Sequence, residues 1–221
     1  MLDAAPRFIA VEGPIGVGKT TLARRLAQSF GSDLMLETPD DNPFLKQFYE
    51  NPRAAALPTQ LFFLFQRVRQ LNAMRQSDLF RPVQVTDYLL EKDRLFAELT
   101  LTADELRLYD QVYASLAPQT PVPDLVIYLQ APVPVLLERI ARRGKSYERL
   151  ITEDYLRRLA NAYVEFFHRY TAAPLLIVNA SEIDLADSDA DYRQLLDRVR
   201  NRPAGRQYVN LAAAGTIRAP L

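Results

Sequence analysis

The chain contains no cysteine and no tryptophan, one histidine, three methionines and seven glycines in 221 residues. Without cysteine there is no disulfide framework, no thiolate nucleophile and no zinc–thiolate site. The lone His168 falls on a helix-like stretch, where a surface or core role is the simpler reading. No apolar run approaches the ~20 residues of a membrane span. The N-terminal Met1-Leu2-Asp3-Ala4-Ala5-Pro6 also lacks the basic and apolar parts of a signal peptide. The expected location is the cytoplasm, with no membrane partner. An excess of either charge is missing as well: 27 basic residues balance 27 acidic ones, so bulk electrostatics give no sign of a nucleic-acid surface. Lysine is scarce, present only at Lys19, Lys46, Lys92 and Lys145, an imbalance that carries no functional meaning by itself.

The length suits one α/β domain with a core large enough to need no staple. That domain is expected over residues 1–201, and Arg202-Pro203-Ala204-Gly205 opens a tail, residues 202–221, of little periodicity. Short apolar or β-branched runs recur at Phe8–Val11, Leu34–Leu36, Val83–Val85, Leu125–Leu129 and Leu175–Val178. Segments of helical period separate them, so a five-stranded parallel sheet with helices on both faces is expected. Leu61, Phe62, Phe65 and Val68 form one apolar stripe, and Leu106, Tyr109, Val112, Tyr113 and Leu116 a second. Leu156, Leu159, Tyr163, Phe166, Phe167 and Tyr170 form a third. Such stripes serve a core or a subunit contact equally well. Thr102 with Glu105 reads as a capping box, and Thr152 precedes acids in a first helical turn. Pro118 to Pro123 should form a rigid entry to the fourth strand.

What is present in full is the string Gly13-Pro14-Ile15-Gly16-Val17-Gly18-Lys19-Thr20, then Thr21. It follows a strand-like run, precedes a helix-like one and satisfies G-x-x-x-x-G-K-[ST]. Glycines let the backbone curl so that successive N–H groups face a polyphosphate, and the following helix adds its positive end. Lys19 should reach the β/γ-phosphates and Thr20 should hold Mg²⁺. A nucleoside triphosphate with Mg²⁺ is therefore expected. The Asn-Lys-x-Asp and Asp-x-x-Gly strings of guanine-specific switch proteins occur nowhere in the chain.

Around this loop the chemistry narrows. Glu37 follows the second expected strand, at the sheet end where ligands of parallel sheets bind. A carboxylate there can take the proton of an attacking hydroxyl, though a solvated loop residue would look the same. Asp87 follows Val83-Gln84-Val85-Thr86, the position of a magnesium-holding acid in many such proteins. Arg139, Arg142, Arg143, Lys145 and Arg149 crowd the end of a helix and the loop beyond it. Charge runs are usually solvated faces, yet this one suits a lid, at about residues 138–150, that closes over a triphosphate.

With those pieces together the chain resembles the deoxynucleoside kinase family of P-loop kinases over roughly residues 6–200. Glu37-Thr38-Pro39 sits where that family has its Glu-Pro base motif, with an extra residue before the proline. Tyr49 matches the family tyrosine on the sugar 3′-hydroxyl, Gln60 the glutamine that reads the base, and Arg67 the arginine near the 5′-hydroxyl. Arg139, Arg143, Gly144, Lys145 and Glu148 match the lid pattern, with Glu148 as a second 3′-hydroxyl partner. Asn179-Ala180-Ser181-Glu182 looks like the adenine-side loop. In place of the family's Glu-Arg-Ser the chain has Asp87-Tyr88-Leu89, which keeps the acid and loses the arginine. That leaves Arg139, Arg143 or Lys145 to carry more of the charge, or a differently built site. Asp93, within Lys92-Asp93-Arg94, is the choice for the acid that reads the base. Asp41-Asn42-Pro43-Phe44-Leu45 with Asp87-Tyr88 looks most like bacterial deoxyadenosine/deoxyguanosine kinases.

The resemblance implies a nucleotide-salvage transferase. ATP would phosphorylate the 5′-hydroxyl of a deoxynucleoside, favouring purines, with Glu37 as base, the lid cations over the transition state, and a homodimer. A nucleoside monophosphate kinase of the thymidylate kinase type is the alternative, but its Asp-Arg-Tyr motif is absent at Asp87-Tyr88-Leu89. A non-catalytic nucleotide sensor would be marked by a degraded base or lid, and both are present.

Overall fold

The computed structural model describes residues 6–77, 83–116, 121–181, 188–201 and 203–210. Its sheet is built from β1 (Phe8–Glu12), β2 (Asp33–Met35), β3 (Gln84–Thr86), β4 (Leu125–Gln130), β5 (Leu175–Asn179) and β6 (Arg206–Val209), in the order β2-β3-β1-β4-β5-β6. Every pairing is parallel. The sheet thus has six strands where the sequence suggested five. The sixth lies in the segment expected to be a tail, where Leu175 pairs with Arg206 and Val178 with Val209. It escaped notice because only Val209 is buried, at 1% exposure, while Tyr208 is 69% exposed. An edge strand with one inward residue presents no apolar run to read.

Eight helices among the described residues flank the sheet: α1 (Lys19–Phe30), α2 (Leu45–Glu50), α3 (Pro52–Ser77), α4 (Lys92–Thr100), α5 (Ala103–Leu116), α6 (Val133–Arg143), α7 (Glu153–Arg169) and α8 (Asp189–Arg200). β1, β4 and β5 are continuously apolar up to their last residue because both faces are covered, as in other parallel sheets. Their side chains form one core with α1, α6, α7 and α8. Thr152 caps α7 by accepting from Tyr155 N at 3.2 Å. Thr102 and Glu105 make the expected reciprocal box at α5, with Thr102 N donating to Glu105 Oε2 at 2.9 Å.

A second, smaller core packs Leu64, Val68 and Leu71 of α3 against Tyr88, Leu90, Ala97 of α4 and Tyr109 of α5. This helical wedge aims Arg67 and Lys92 at the sheet edge where β1, β2 and β3 end. Of the α3 stripe, Val68 is buried but Phe65 is 48% exposed. The α7 stripe is core at Leu156, Leu159, Tyr163 and Phe167. His168 is exposed near the end of α7. Residues 1–5, Glu182, residues 118–120 of the proline connection and residues 211–221 of the expected tail lie outside the described residues.

Leu159 is fully buried between α7 and the sheet. Leu159→Ala should cost about 3 kcal/mol through lost transfer energy and a residual cavity. Urea denaturation measures it, and a loss below about 1 kcal/mol would mean that α7 does not hold the core as described.

Candidate active site

β1 ends in Glu12 and the chain turns at once into the P-loop. Gly13 has φ +149°, and a Cβ there would stand 2.5 Å from the Leu129 carbonyl oxygen. Gly16 has φ +85°, with a Cβ 2.8 Å from the Leu136 carbonyl oxygen. Close backbone approach therefore demands glycine at both. Lys19 folds back over the loop, its Nζ donating to Gly13 O at 2.7 Å and Pro14 O at 3.2 Å. Burial, and after it the charge of Lys92, lowers the Lys19 pKa to about 8.

Glu12 is fully buried and fully engaged. Its Oε1 accepts from Gly13 N at 2.8 Å and Tyr163 Oη at 2.9 Å, and its Oε2 accepts from Leu89 N at 2.8 Å. Lys92 Nζ lies 3.4 Å from the same Oε2. One carboxylate thus ties the first P-loop amide to α7, to the turn after β3 and to α4.

Three strand ends meet in front of the loop. Thr20 Oγ1 donates to Asp87 Oδ2 at 2.6 Å, and Asp87 Oδ1 accepts from the Glu37 amide at 2.7 Å. The Glu37 carboxylate accepts a hydrogen bond from Arg67 and lies 3.4 Å from Lys92 Nζ. Burial would raise its pKa, but Arg67, Lys92 and Lys19 outweigh that and hold it at about 2. Asp87 goes the other way, pushed up by burial and by the nearby Glu37. Arg67 also pairs with Asp93 on α4, both nearly inaccessible to water, and its guanidinium centre lies 5.0 Å from the Phe63 ring centroid.

Farther along, Tyr49 of α2 stacks on Tyr147, ring centroids 6.1 Å apart and planes at 7°. Burial drives the Tyr49 pKa well above its ordinary value, so its hydroxyl stays a donor. Gln60 is buried and its Nε2 donates to Thr100 Oγ1 at 3.3 Å.

The basic segment is α6 and the 3-10 turn Ser146–Leu150. Gly144 ends α6 with φ +72°, where an L side chain would be strained. Arg139 donates to the carbonyls of Val17 (3.2 Å) and Ala180 (2.8 Å). Arg143 makes two hydrogen bonds to Glu148, one of 2.9 Å. Lys145 reaches across to Asp40 at 2.7 Å and to Tyr147 Oη at 3.0 Å.

Most of these side chains converge on one cavity of about 1100 Å³. The structure brings Ile15 to Thr21, Glu37, Tyr49, Gln60, Arg67, Asp87, Arg139, Arg143, Lys145 and Glu148 onto its wall. Gly13 and Pro14 stand behind it in the loop, and Asp93 reaches it only through Arg67. Sequence reasoning passed over Glu12, Lys92, Phe63, Phe96 and Asp40. One signal was available: of the four lysines in this arginine-rich chain, Lys19, Lys92 and Lys145 line the cavity.

The deoxynucleoside kinase family model matches residues 9–202. The chain is 37% identical to the deoxyguanosine kinase of Bacillus subtilis (strain 168) over 90% of its length and 98% of that protein. It is 27% identical to a deoxyadenosine kinase of Lactobacillus acidophilus, over 87% and 94% respectively. Among solved structures, deoxyadenosine kinase from M. mycoides with bound dATP superposes with a TM-score of 0.77 at 25% identity, covering 87% of this chain and 98% of that one.

Removing one partner of a buried ion pair strands the other. Arg67→Met should therefore destabilise the unliganded protein by about 3–5 kcal/mol, and adding Asp93→Leu should recover part of it. Chemical denaturation of the two variants decides; an Arg67→Met protein as stable as wild type would contradict the buried pairing.

Proposed function

The chain belongs to the deoxynucleoside kinase family, and from that premise we propose that its cavity phosphorylates a purine deoxynucleoside, deoxyguanosine or deoxyadenosine. The protein is an ATP-dependent phosphotransferase by that membership. The observation that carries the site reading is Glu37. It is an ionised carboxylate compensated by Arg67 and Lys92, on the wall between the P-loop and the aromatic end of the cavity.

In this reading ATP lies along residues 13–21 with its terminal phosphates at Lys19. The deoxynucleoside lies between Tyr49, Gln60, Arg67 and Glu148, with Asp93 fixing Arg67 at the base. The 5′-oxygen attacks the γ-phosphorus as the bond from that phosphorus to the β,γ-bridging oxygen breaks. ADP leaves, and the hydroxyl proton passes to Glu37. A carboxylate held at about pKa 2 is a weak base but a fully ionised one. A loose transition state asks for little proton transfer before the leaving group has gone. Arg139, Arg143 and Lys145, on a lid spanning about residues 138–150, then cover the charge spread over the phosphoryl oxygens. For Arg143 and Lys145 this means exchanging Glu148 and Asp40 for phosphate, an exchange that couples closure to nucleotide.

Thr20 Oγ1 and Asp87 Oδ2, 2.6 Å apart, are a hydroxyl and a carboxylate of the hard-oxygen kind that suits Mg²⁺. No cluster of three or more His, Cys, Asp or Glu occurs among the described residues, in keeping with an ion held mainly by phosphate and water. Bound there, Mg²⁺ would neutralise phosphate charge. The purine preference rests on the names of the relatives and on Gln60, whose amide offers one donor and one acceptor to a base edge. A homodimer through α3 and α5 is supported by Phe65 and Leu108, each 48% exposed on those packed helices. A cytoplasmic setting for nucleotide salvage agrees with the absence, among the described residues, of a helix long and apolar enough to cross a membrane.

Transfer from γ-labelled ATP to a panel of deoxynucleosides and their monophosphates tests the proposal. Label should appear on deoxyguanosine or deoxyadenosine ahead of thymidine. Label on monophosphates alone would make the protein a monophosphate kinase, and ATP binding without transfer would make it a sensor.

A further inference from the structure

Lys92 opens α4 and is 2% exposed, yet its ammonium group reaches two carboxylates that belong to different halves of the site. Glu12 Oε2 lies 3.4 Å away on one side, and Glu37 Oε1 lies 3.4 Å away on the other. Glu12 closes β1 and holds the first P-loop amide at Gly13. Glu37 follows β2 and faces the acceptor end of the cavity. The turn that delivers Lys92 is itself tied to Glu12, which accepts from Leu89 N at 2.8 Å. Four residues before Lys92, at the end of β3, Tyr88 sits buried in the helical wedge and brings no charge. A lysine fits between two carboxylates better than an arginine would, because its charge is compact and its three donors have no preferred plane. The other charged groups facing Glu37 are Lys19 on α1, Arg67 on α3 and Asp87 after β3. Lys19 also faces Lys92.

We infer that Lys92 is a positioning residue for phosphoryl transfer: it ties the Glu37 carboxylate to Glu12 and so holds the proton acceptor in register with the P-loop. The inference rests on the reading of Glu37 as base. It goes beyond that reading in assigning the register to a cation on α4, where the sequence had left the charge missing at Tyr88 to the lid or to a differently built site. Through-bond distance between loop and base is long, since they belong to different strands. Glu12–Lys92–Glu37 is a charged link between them, beside the hydrogen-bonded link Thr20–Asp87–Glu37 N.

The test is kcat and nucleoside KM for wild type, Lys92→Gln, Lys92→Arg, Glu37→Gln and the double variant Glu37→Gln/Lys92→Gln. Lys92→Gln should lower kcat about 10- to 100-fold, at or below the lower end of a whole general-base contribution, with nucleoside KM little changed. Lys92→Arg keeps the charge but not the compact fit, and should restore only part of kcat. In the Glu37→Gln background Lys92→Gln should cost no more than about twofold, as expected of two groups acting as a unit. A raised nucleoside KM with kcat unchanged in Lys92→Gln, or costs that multiply in the double variant, would overturn the inference while leaving Glu37 as base. Wild-type kcat in Glu37→Gln would remove the base reading and this inference together. Should Lys92→Gln fail to fold, Glu12→Gln/Lys92→Met, which removes both charges of one pair, carries the same comparison.

Discussion

The site depends on burying its charges as a set. Buried Glu12, Asp87 and Asp93, with the half-buried Glu37, face buried Arg67 and Lys92 and the half-buried Lys19 at the cavity wall. Any one of these ions alone would cost several kcal/mol to desolvate. Each instead has an opposite charge or several hydrogen-bond donors within reach. The surplus is one carboxylate, and Asp87 is the acid pushed toward protonation, by burial and by Glu37. It stands beside the Thr20 hydroxyl, where the proposed Mg²⁺ would balance it. A resting network one cation short is suited to a ligand that arrives with a divalent ion.

Parallel pairing puts the carboxyl ends of β1, β2 and β3 side by side, so that residues distant in sequence converge at one edge. The sheet supplies acids and the P-loop. The helical wedge supplies cations, because α3 and α4 pack on each other through apolar faces and turn Arg67 and Lys92 toward the strand ends. Rigid elements on both sides hold Glu37, while the far end of the cavity is closed by α2 and the 3-10 turn, joined through Tyr49 and Tyr147. Arg143 and Lys145 are paired with Glu148 and Asp40 at this end. These pairs are more open to solvent than those around Arg67 and Lys92, and in the proposed function they are the contacts that nucleotide would exchange.

The P-loop was legible because backbone geometry admits few residues at Gly13 and Gly16, and the strand and helix around it have strong patterns. Glu37 and Asp87 were legible as acids just past strand ends. Lys92 was not, since its partners depend on how the turn after β3 reverses the chain onto α4, which no local pattern encodes. For the same reason the sequence left the charge missing at Tyr88 to the lid or to a differently built site, while the structure has Lys92 four residues further on. The pairing of Arg143 with Glu148 was hidden because both fit the lid pattern separately. β6 was missed because an edge strand needs only one inward side chain.

The central claim is that Glu37 is kept ionised within the protein by Arg67 and Lys92. Carboxyl-¹³C glutamate NMR across an acid titration of the unliganded protein measures it, with Glu37→Gln assigning the resonance. The account predicts that this resonance stays at its ionised position down to about pH 4, where ordinary exposed glutamates are already titrating. A midpoint at or above the ordinary value of 4.5 would contradict it.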